Sequence, residues 1–331
     1  MGRLVTLTTC QWADLELEEM CALAKKMGYD GLELACWGNH VNIDKAYSDD
    51  SYVSWILETL KKNDLVCKAL ATHIIGQCVG DAPDPRLHNF APAALANQPE
   101  AIRAWGIDQM KKVAVVAKKM GVKVVTGFTG SPIWKYLYSF PQTSEEMVEA
   151  GFDRIVDLWT PILDEFKKND VVFALEVHPS EIAFDYYSTQ KLLCKFSDNP
   201  TFGLNFDPSH LLWQGVTPHV FLSDFRDRIY HVHMKDIGVT LDGRTGLLGS
   251  HIEFGSLKRG WNFRSLGHGD VDFEEIIRVL NDMNYDGPLS VEWEDSGMDR
   301  IAGGTEAAAF VRKVDFAPSN VKFDDAIANE S

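Results

Sequence analysis

A closed (β/α)8 barrel is the fold the sequence predicts, on three observations. Short apolar runs alternate with stretches of helical spacing along the whole chain, and eight of the runs read as strands. Acidic and imidazole side chains stand at the C-terminal ends of several of these runs, where a parallel barrel keeps its chemistry. The first strand-to-helix turn, TTCQWAD, holds no glycine, unlike the phosphate-binding turn of a doubly wound sheet.

Each element follows from its residues. LVTLTT is the first strand, and Leu17, Met20, Ala24 and Met27 mark one face of the helix behind it. GLELAC is the second, followed by a helix with Val53, Ile56, Leu57 and Leu60 inward. LVCKALATH is the third and ends at His73. Residues 74–99 are rich in Pro, Gly, Ala and Asn and predict a long loop. Met110, Val113, Ala114 and Ala117 define the next helix, and VKVVTGF the fourth strand. Ile155, Leu158, Ile162 and Phe166 line a helix that Pro161 is expected to kink.

VVFALEV, FGLNFD and IYHVHMK are the fifth, sixth and seventh strands. A second long excursion, 236–271, is rich in glycine and basic residues. Asp272 and Glu275 then form a helix-capping pair, with Phe273, Ile276, Ile277, Leu280 and Met283 facing inward. PLSVEWE is the eighth strand, and a last helix is expected around 304–313. With no repeat and no linker, one domain over 1–315 and a C-terminal tail over 316–331 is the expectation.

Composition narrows the class. The net charge is −16, from 32 basic and 48 acidic residues, and no basic run is present. A nucleic-acid partner is therefore not expected. No apolar run approaches a membrane span, and the start of the chain lacks a signal-peptide pattern. The six cysteines are scattered and form no C-x-x-C pair, which predicts reduced thiols and a cytoplasmic protein.

Four side chains carry the chemistry. Glu176 ends the fifth strand, Asp207 the sixth, His233 lies near the end of the seventh, and Glu292 ends the eighth. Any one carboxylate there could equally be half of a structural ion pair. Three converging carboxylates repel one another unless a cation sits among them. With His233 they make an oxygen-rich set for one divalent ion: Mn²⁺ first, with Co²⁺, Mg²⁺ and Zn²⁺ open. His231 and His233 alternate and so share a strand face; the inner one, His231, reads as a core or supporting group. His178 shares the face of Glu176 and is either an acid/base group or a backbone-bonded imidazole. His210, His73, Lys235, Trp37 and Arg264 are the candidate substrate contacts, and a salt bridge from Lys235 to Asp236 or another acid is the competing reading. Trp12, Trp134, Trp213 and Trp293 are also placed near the strand mouths, and the segment LKRGWNFRSLGHGDVDF is the candidate lid.

The ordered set ALEVHP, FDPSH, HVHMKD, GHGDVDF and LSVEWED, with GLELACWG before it, resembles the xylose-isomerase-like TIM-barrel superfamily over roughly residues 3–313. That superfamily includes sugar isomerases, ketose 3-epimerases, inosose dehydratases and endonuclease IV. The resemblance implies Glu176, Asp207, His233 and Glu292 as metal ligands, with Glu176 and Glu292 also exchanging protons on opposite faces of a bound sugar. The additional ligands of a three-zinc endonuclease site are not evident.

These readings lead to a metal-dependent isomerase or epimerase of a keto-sugar, working by proton abstraction beside a polarised carbonyl through an enediolate. Two alternatives stay open. One is a lyase that uses the same enolisation to expel a β-substituent, as in dehydration of a keto-inositol or cleavage of a 3-keto-glycoside. The other is a sugar-binding or partner-dependent subunit without catalysis. A small carbohydrate is the expected partner, and a homo-oligomer is possible.

Overall fold

The computed structural model describes residues 2–197, 199–321 and 324. Eight short parallel strands close into a barrel: β1 Val5–Thr8, β2 Gly31–Ala35, β3 Val66–Ala71, β4 Val124–Gly127, β5 Val172–Glu176, β6 Phe202–Phe206, β7 Ile229–Met234 and β10 Leu289–Val291. The ring runs in chain order and closes where β1 pairs with β10, Leu7 opposite Val291. The remaining two strands, β8 Asp236–Val239 and β9 Trp261–Arg264, form an antiparallel hairpin outside the ring.

The helices are α1 Leu17–Met27, α2 Ile43–Ser48, α3 Asp50–Lys62, α4 His73–Gly80, α5 Pro99–Met120, α6 Glu145–Lys168, α7 Tyr186–Lys195, α8 Pro208–Leu212, α9 Pro218–Asp224, α10 Phe273–Asp282 and α11 Arg300–Val314. Their ends obey local chemistry. Ser144 accepts the Met147 N–H at the start of α6, where Glu145 and Glu146 face the positive end of the helix dipole. Asp272 accepts the Glu275 N–H at 3.1 Å, as its spacing predicts. No helix among the described residues is long and apolar enough to cross a membrane.

Barrel strands are buried on both faces, so alternate residues meet different neighbours. On β5, Phe173 points outward into an aromatic cluster with Trp159 (ring centroids 4.5 Å apart), Phe166 (6.0 Å) and Phe202 (6.0 Å). Glu176, three residues on, faces the lumen among polar groups.

Three expectations need adjusting. The insertion after β3 exists, but it opens with α4 rather than with loop, so His73 starts a helix instead of ending a strand. The two glycines of IIGQCVG hide that helix in the sequence. At Gly76 a Cβ would lie 1.9 Å from the Phe128 carbonyl oxygen, so glycine is what lets α4 press onto the β4 loop. Leu57 is 36% exposed rather than inward, because α3 meets the core through Val53, Ile56 and Leu60. The last helix begins at Arg300, earlier than its apolar pattern suggests, because Asp299 caps it. Of the expected tail, Phe316 is tied back through its carbonyl to Asn281 Nδ2 at 2.8 Å, and residues 322, 323 and 325–331 lie outside the described ones.

The loops after β4 and β5 are pinned by Glu181. Its buried carboxylate accepts the N–H groups of Thr129 (2.8 Å) and Gly130 (2.6 Å). Burial, with Asp81 nearby, pushes this carboxyl up to about 8. Folding therefore favours its protonated form. Its stabilising contribution is complete below the ordinary glutamate range and is lost as pH rises toward 8.

Two stability predictions follow from this packing. Phe173→Ala should cost about 3–5 kcal/mol, read as a lower denaturation midpoint with an unchanged denaturant slope, and a loss under about 1 kcal/mol would contradict the cluster's role. Glu181→Gln keeps the acceptor oxygen. Its stability relative to the parent should rise between pH 5 and pH 8 by on the order of 1.4 kcal/mol per pH unit, whereas a pH-independent difference would contradict the buried-acid account.

Candidate active site at the mouth of the barrel

The site is built from the bottom. Glu33, on β2, lies wholly buried in the lumen. Its Oε2 receives His231 Nε2 at 2.9 Å, His233 Nε2 at 3.0 Å and Ser290 Oγ at 2.7 Å, and its Oε1 receives Thr126 Oγ1. Burial alone would push this carboxyl up, but His233, His231 and their hydrogen bonds outweigh it and hold it well below the usual range. A carboxylate only accepts, so both imidazoles carry their hydrogen on Nε2. That orientation turns His233 Nδ1 upward.

Above it the other groups converge. His233 Nδ1 lies 3.0 Å from Glu292 Oε2 and 3.3 Å from Glu176 Oε2. Glu176 Oε2 also meets His73 Nε2 at 2.9 Å and Asn205 Nδ2 at 3.4 Å, while its Oε1 lies 3.1 Å from His210 Nε2. Asp207 caps α8, spending Oδ1 on the backbone N–H and hydroxyl of Ser209, both at 2.7 Å. Its Oδ2 has no hydrogen-bond partner and lies 3.6 Å from His210 Nε2. Burial raises Asp207 to about 6. Burial opposes ionisation of Glu292 too, but Lys235 beside it brings that carboxyl down to about 2.

These atoms answer whether the residues fit a metal ion. Asp207 Oδ2, His233 Nδ1 and Glu292 Oε2 are buried and lack hydrogen-bond geometry to any neighbour, although His233 Nδ1 and Glu292 Oε2 are only 3.0 Å apart. Glu176, Asp207, His233 and Glu292 each offer one ligand atom, all within 4.8 Å of one another. Three carboxylate oxygens and one imidazole nitrogen pointed at a common space suit one divalent cation. Glu33, His231 and His233 also cluster, but there the ligand atoms are already hydrogen-bonded to one another. Glu33 is thus the supporting acid that orients His233.

The cavity above has a volume of about 680 Å³. His73, Glu176, His178, His210, Lys235 and Glu292 all line it, as does Trp37. His178 is half-buried and packs against His210 (4.2 Å between rings) and Phe128 (4.8 Å), with Nδ1 3.3 Å from Ser180 Oγ. Burial, and then His210, push its pKa well down, so it stands as a neutral imidazole. Lys235 bridges Glu292 at 3.1 Å and Glu294 at 3.0 Å. It does not pair with Asp236, whose carboxylate instead binds the N–H groups of Ile237, Gly267, Gly269 and Val271 and so shapes the loop beyond the hairpin.

Arg264 does not line the cavity. It lies 3.9 Å from Asp295, which does. Of the five tryptophans, Trp37 and Trp293 reach the cavity. Trp12 is buried against Trp293, Trp213 stacks on Trp261, and Trp134 packs on Phe184. Glu33, Glu294 and Phe254 were not anticipated as site residues. Only Glu33 left a trace in the sequence, an acid in mid-strand within GLELA.

This chain belongs to the xylose isomerase-like TIM barrel family, whose pattern matches residues 21–314. It is 27% identical to the uncharacterized protein YfiH of Bacillus subtilis over 300 residues, 87% of this chain and 92% of that protein. It is 34% identical to an inosose dehydratase of Clostridium beijerinckii over 121 residues, which are 37% of this chain and 39% of the dehydratase. The fold is shared with the 3-keto-D-glucoside 4-epimerase YcjR of E. coli, at a TM-score of 0.66 and 15% identity over 94% of this chain and 99% of that one. It is also shared with the IOLI protein solved with a zinc atom, at a TM-score of 0.64 and 17% identity over 94% and 97%.

The supporting role of Glu33 is testable by metal binding alone. Glu33→Gln should weaken Mn²⁺ binding by roughly 10–100-fold in an equilibrium titration. An unchanged dissociation constant in a folded variant would show that Glu33 does not orient His233.

Proposed function

We propose that this protein is a divalent-metal-dependent isomerase or epimerase of a keto-sugar or sugar derivative. The observation that carries the reading is the pair of glutamates, Glu176 on β5 and Glu292 beyond β10, both against His233 Nδ1 with Asp207 alongside. The ion held by Glu176, Asp207, His233 and Glu292 would supply Lewis-acid polarisation of the substrate carbonyl, which acidifies the neighbouring C–H. The zinc atom bound by the IOLI protein, which shares this fold, supports a divalent metal as the cofactor.

The rest is work for the chain. One glutamate takes the α-proton, and the other returns a proton to the opposite face or to the adjacent carbon. The first outcome is an epimer and the second an aldose–ketose isomer. His73 and Asn205 hold Glu176 Oε2 from two sides, which fixes the direction of its lone pairs. Lys235 sits within reach of both Glu292 and Glu294 and keeps Glu292 ionised as a base. Phe128, Phe263, Trp37 and Trp293 form much of the wall and exclude water from the carbanionic carbon.

A second reading has its own support. The stretch shared with inosose dehydratases favours a lyase that starts from the same proton abstraction and then loses a β-substituent. In that reading His178 or His210, packed edge to face at the cavity wall, hydrogen-bonds the departing oxygen.

Proton NMR of the metal-loaded protein in D₂O, with ketoses, keto-inositols and 3-keto-glycosides, separates the two. Deuterium at an α-carbon with the skeleton intact is the expected result; new vinyl signals or a released substituent would assign the lyase. Glu176→Gln and Glu292→Gln should each lower turnover by at least about 10³-fold while the circular dichroism spectrum is unchanged. Near-normal activity in both would overturn the assignment.

A further inference from the structure

The wall of the cavity carries more information than the reaction needs. Besides the reacting pair it exposes two more acids, Glu294 and Asp295, and among its lining residues the one Lys or Arg is Lys235. That lysine is already committed. The residue is 3% exposed, and its ammonium bridges Glu292 and Glu294 and lies 4.4 Å from the centre of the Phe263 ring. A divalent ion among Glu176, Asp207 and Glu292 would still leave this space with an excess of acid. The nearby arginines are turned to other partners. Arg259 packs against both Phe254 and Trp261, 4.4 Å from each, and donates to the Ile252 carbonyl at 2.5 Å; Arg264 faces Asp295. Apart from its imidazoles and Gln11, the lining would offer a phosphate or carboxylate acids and aromatic rings, and no uncommitted Lys or Arg to offset its desolvation.

The outer end of the cavity is also built. Phe254 is 62% exposed, yet it is held in place. Its ring stacks on Phe263 (5.8 Å, 18° between planes) and carries the Arg259 guanidinium. The next residue, Gly255, has φ +87°, and a Cβ there would lie 2.5 Å from the Ser296 Cβ, so only glycine lets the hairpin loop close against the segment after β10. Asn262 clamps that turn, accepting the Gly255 N–H at 2.7 Å and donating to the Ser256 carbonyl at 2.9 Å. The result is an ordered aromatic platform at the rim, joined through Phe263 to the His210 and Lys235 side of the cavity.

From this we infer that the substrate is uncharged and extends beyond one sugar ring: a neutral glycoside-like molecule whose reacting ring lies over Glu176 and Glu292 and whose outer unit lies on Phe254. The inference rests on the cavity being the substrate site, as proposed above, and it adds the substrate's charge and reach. The reacting ring finds hydrogen-bond partners for its hydroxyls in His73, His178 and Gln11. The outer unit is recognised by its C–H face on the ring of Phe254.

Binding tests it without turnover. The tryptophan fluorescence of the Mn²⁺-loaded protein, in which Trp37 and Trp293 line the cavity, would be titrated with maltose, with methyl α-glucoside and with glucose 6-phosphate. Maltose is expected to bind at least roughly tenfold more tightly than the phosphate ester, with an affinity that added salt does not change. Phe254→Ala should weaken maltose by about tenfold and leave methyl α-glucoside within about twofold. Phosphate binding equal to or tighter than maltose, no saturable maltose binding, or an equal loss for both neutral sugars in Phe254→Ala would each overturn the inference. Failure of proton exchange in D₂O alongside the expected binding order would count against the isomerase reading and leave this assignment standing.

Discussion

A carboxylate in the centre of a protein has to be balanced, and much of this barrel's mouth is arranged by how Glu33 is balanced. Four donors close on it from β4, β7 and β10. Because it can only accept, it dictates which nitrogen of His233 holds hydrogen, and so which nitrogen faces the cavity. The upward face of His233 then fixes where Glu176 and Glu292 can converge. Without Glu33 the imidazole could turn over, and the three acids above it would lose their common focus. The reactive layer thus depends on an interaction one layer below it.

The strand ends were legible because a barrel mouth selects for them. Glu176, Asp207, His233 and Glu292 each end or nearly end an apolar run, and the alternation of His231 and His233 predicts that both face the lumen; the structure places all five there. Glu33 was not legible in the same way. It lies in the middle of GLELA, and its partners are far off in sequence, so only the closure of the ring brings it to His231 and His233. The hairpin β8–β9 was hidden for another reason: glycines and basic residues dominate 236–271 and mask two short strands. Arg264 was expected at the substrate because it stood among those loop cations, and the antiparallel register turns it toward Asp295 instead.

The floor and the rim of the site are built from different parts of the fold. The floor consists of strands buried on both faces, and its polar atoms are tied to one another. The rim is assembled from segments that extend the strands: α4 after β3, the Glu181-pinned loops after β4 and β5, and the hairpin after β7. In the proposed function, such an arrangement assigns the proton-transfer geometry to the barrel and the choice of substrate to the loops. The same fold is shared by an epimerase and a zinc-bound protein, so function on it is set by the site and not by the barrel.

The most direct test of this account is the position of the metal itself. Crystals grown with Mn²⁺ and measured for anomalous scattering should show one ion coordinated by Glu176, Asp207, Glu292 and the Nδ1 atom of His233, with Nε2 still directed at Glu33. An ion seated against His231 and Glu33, or one that leaves Asp207 and Glu292 without contact, would contradict the account.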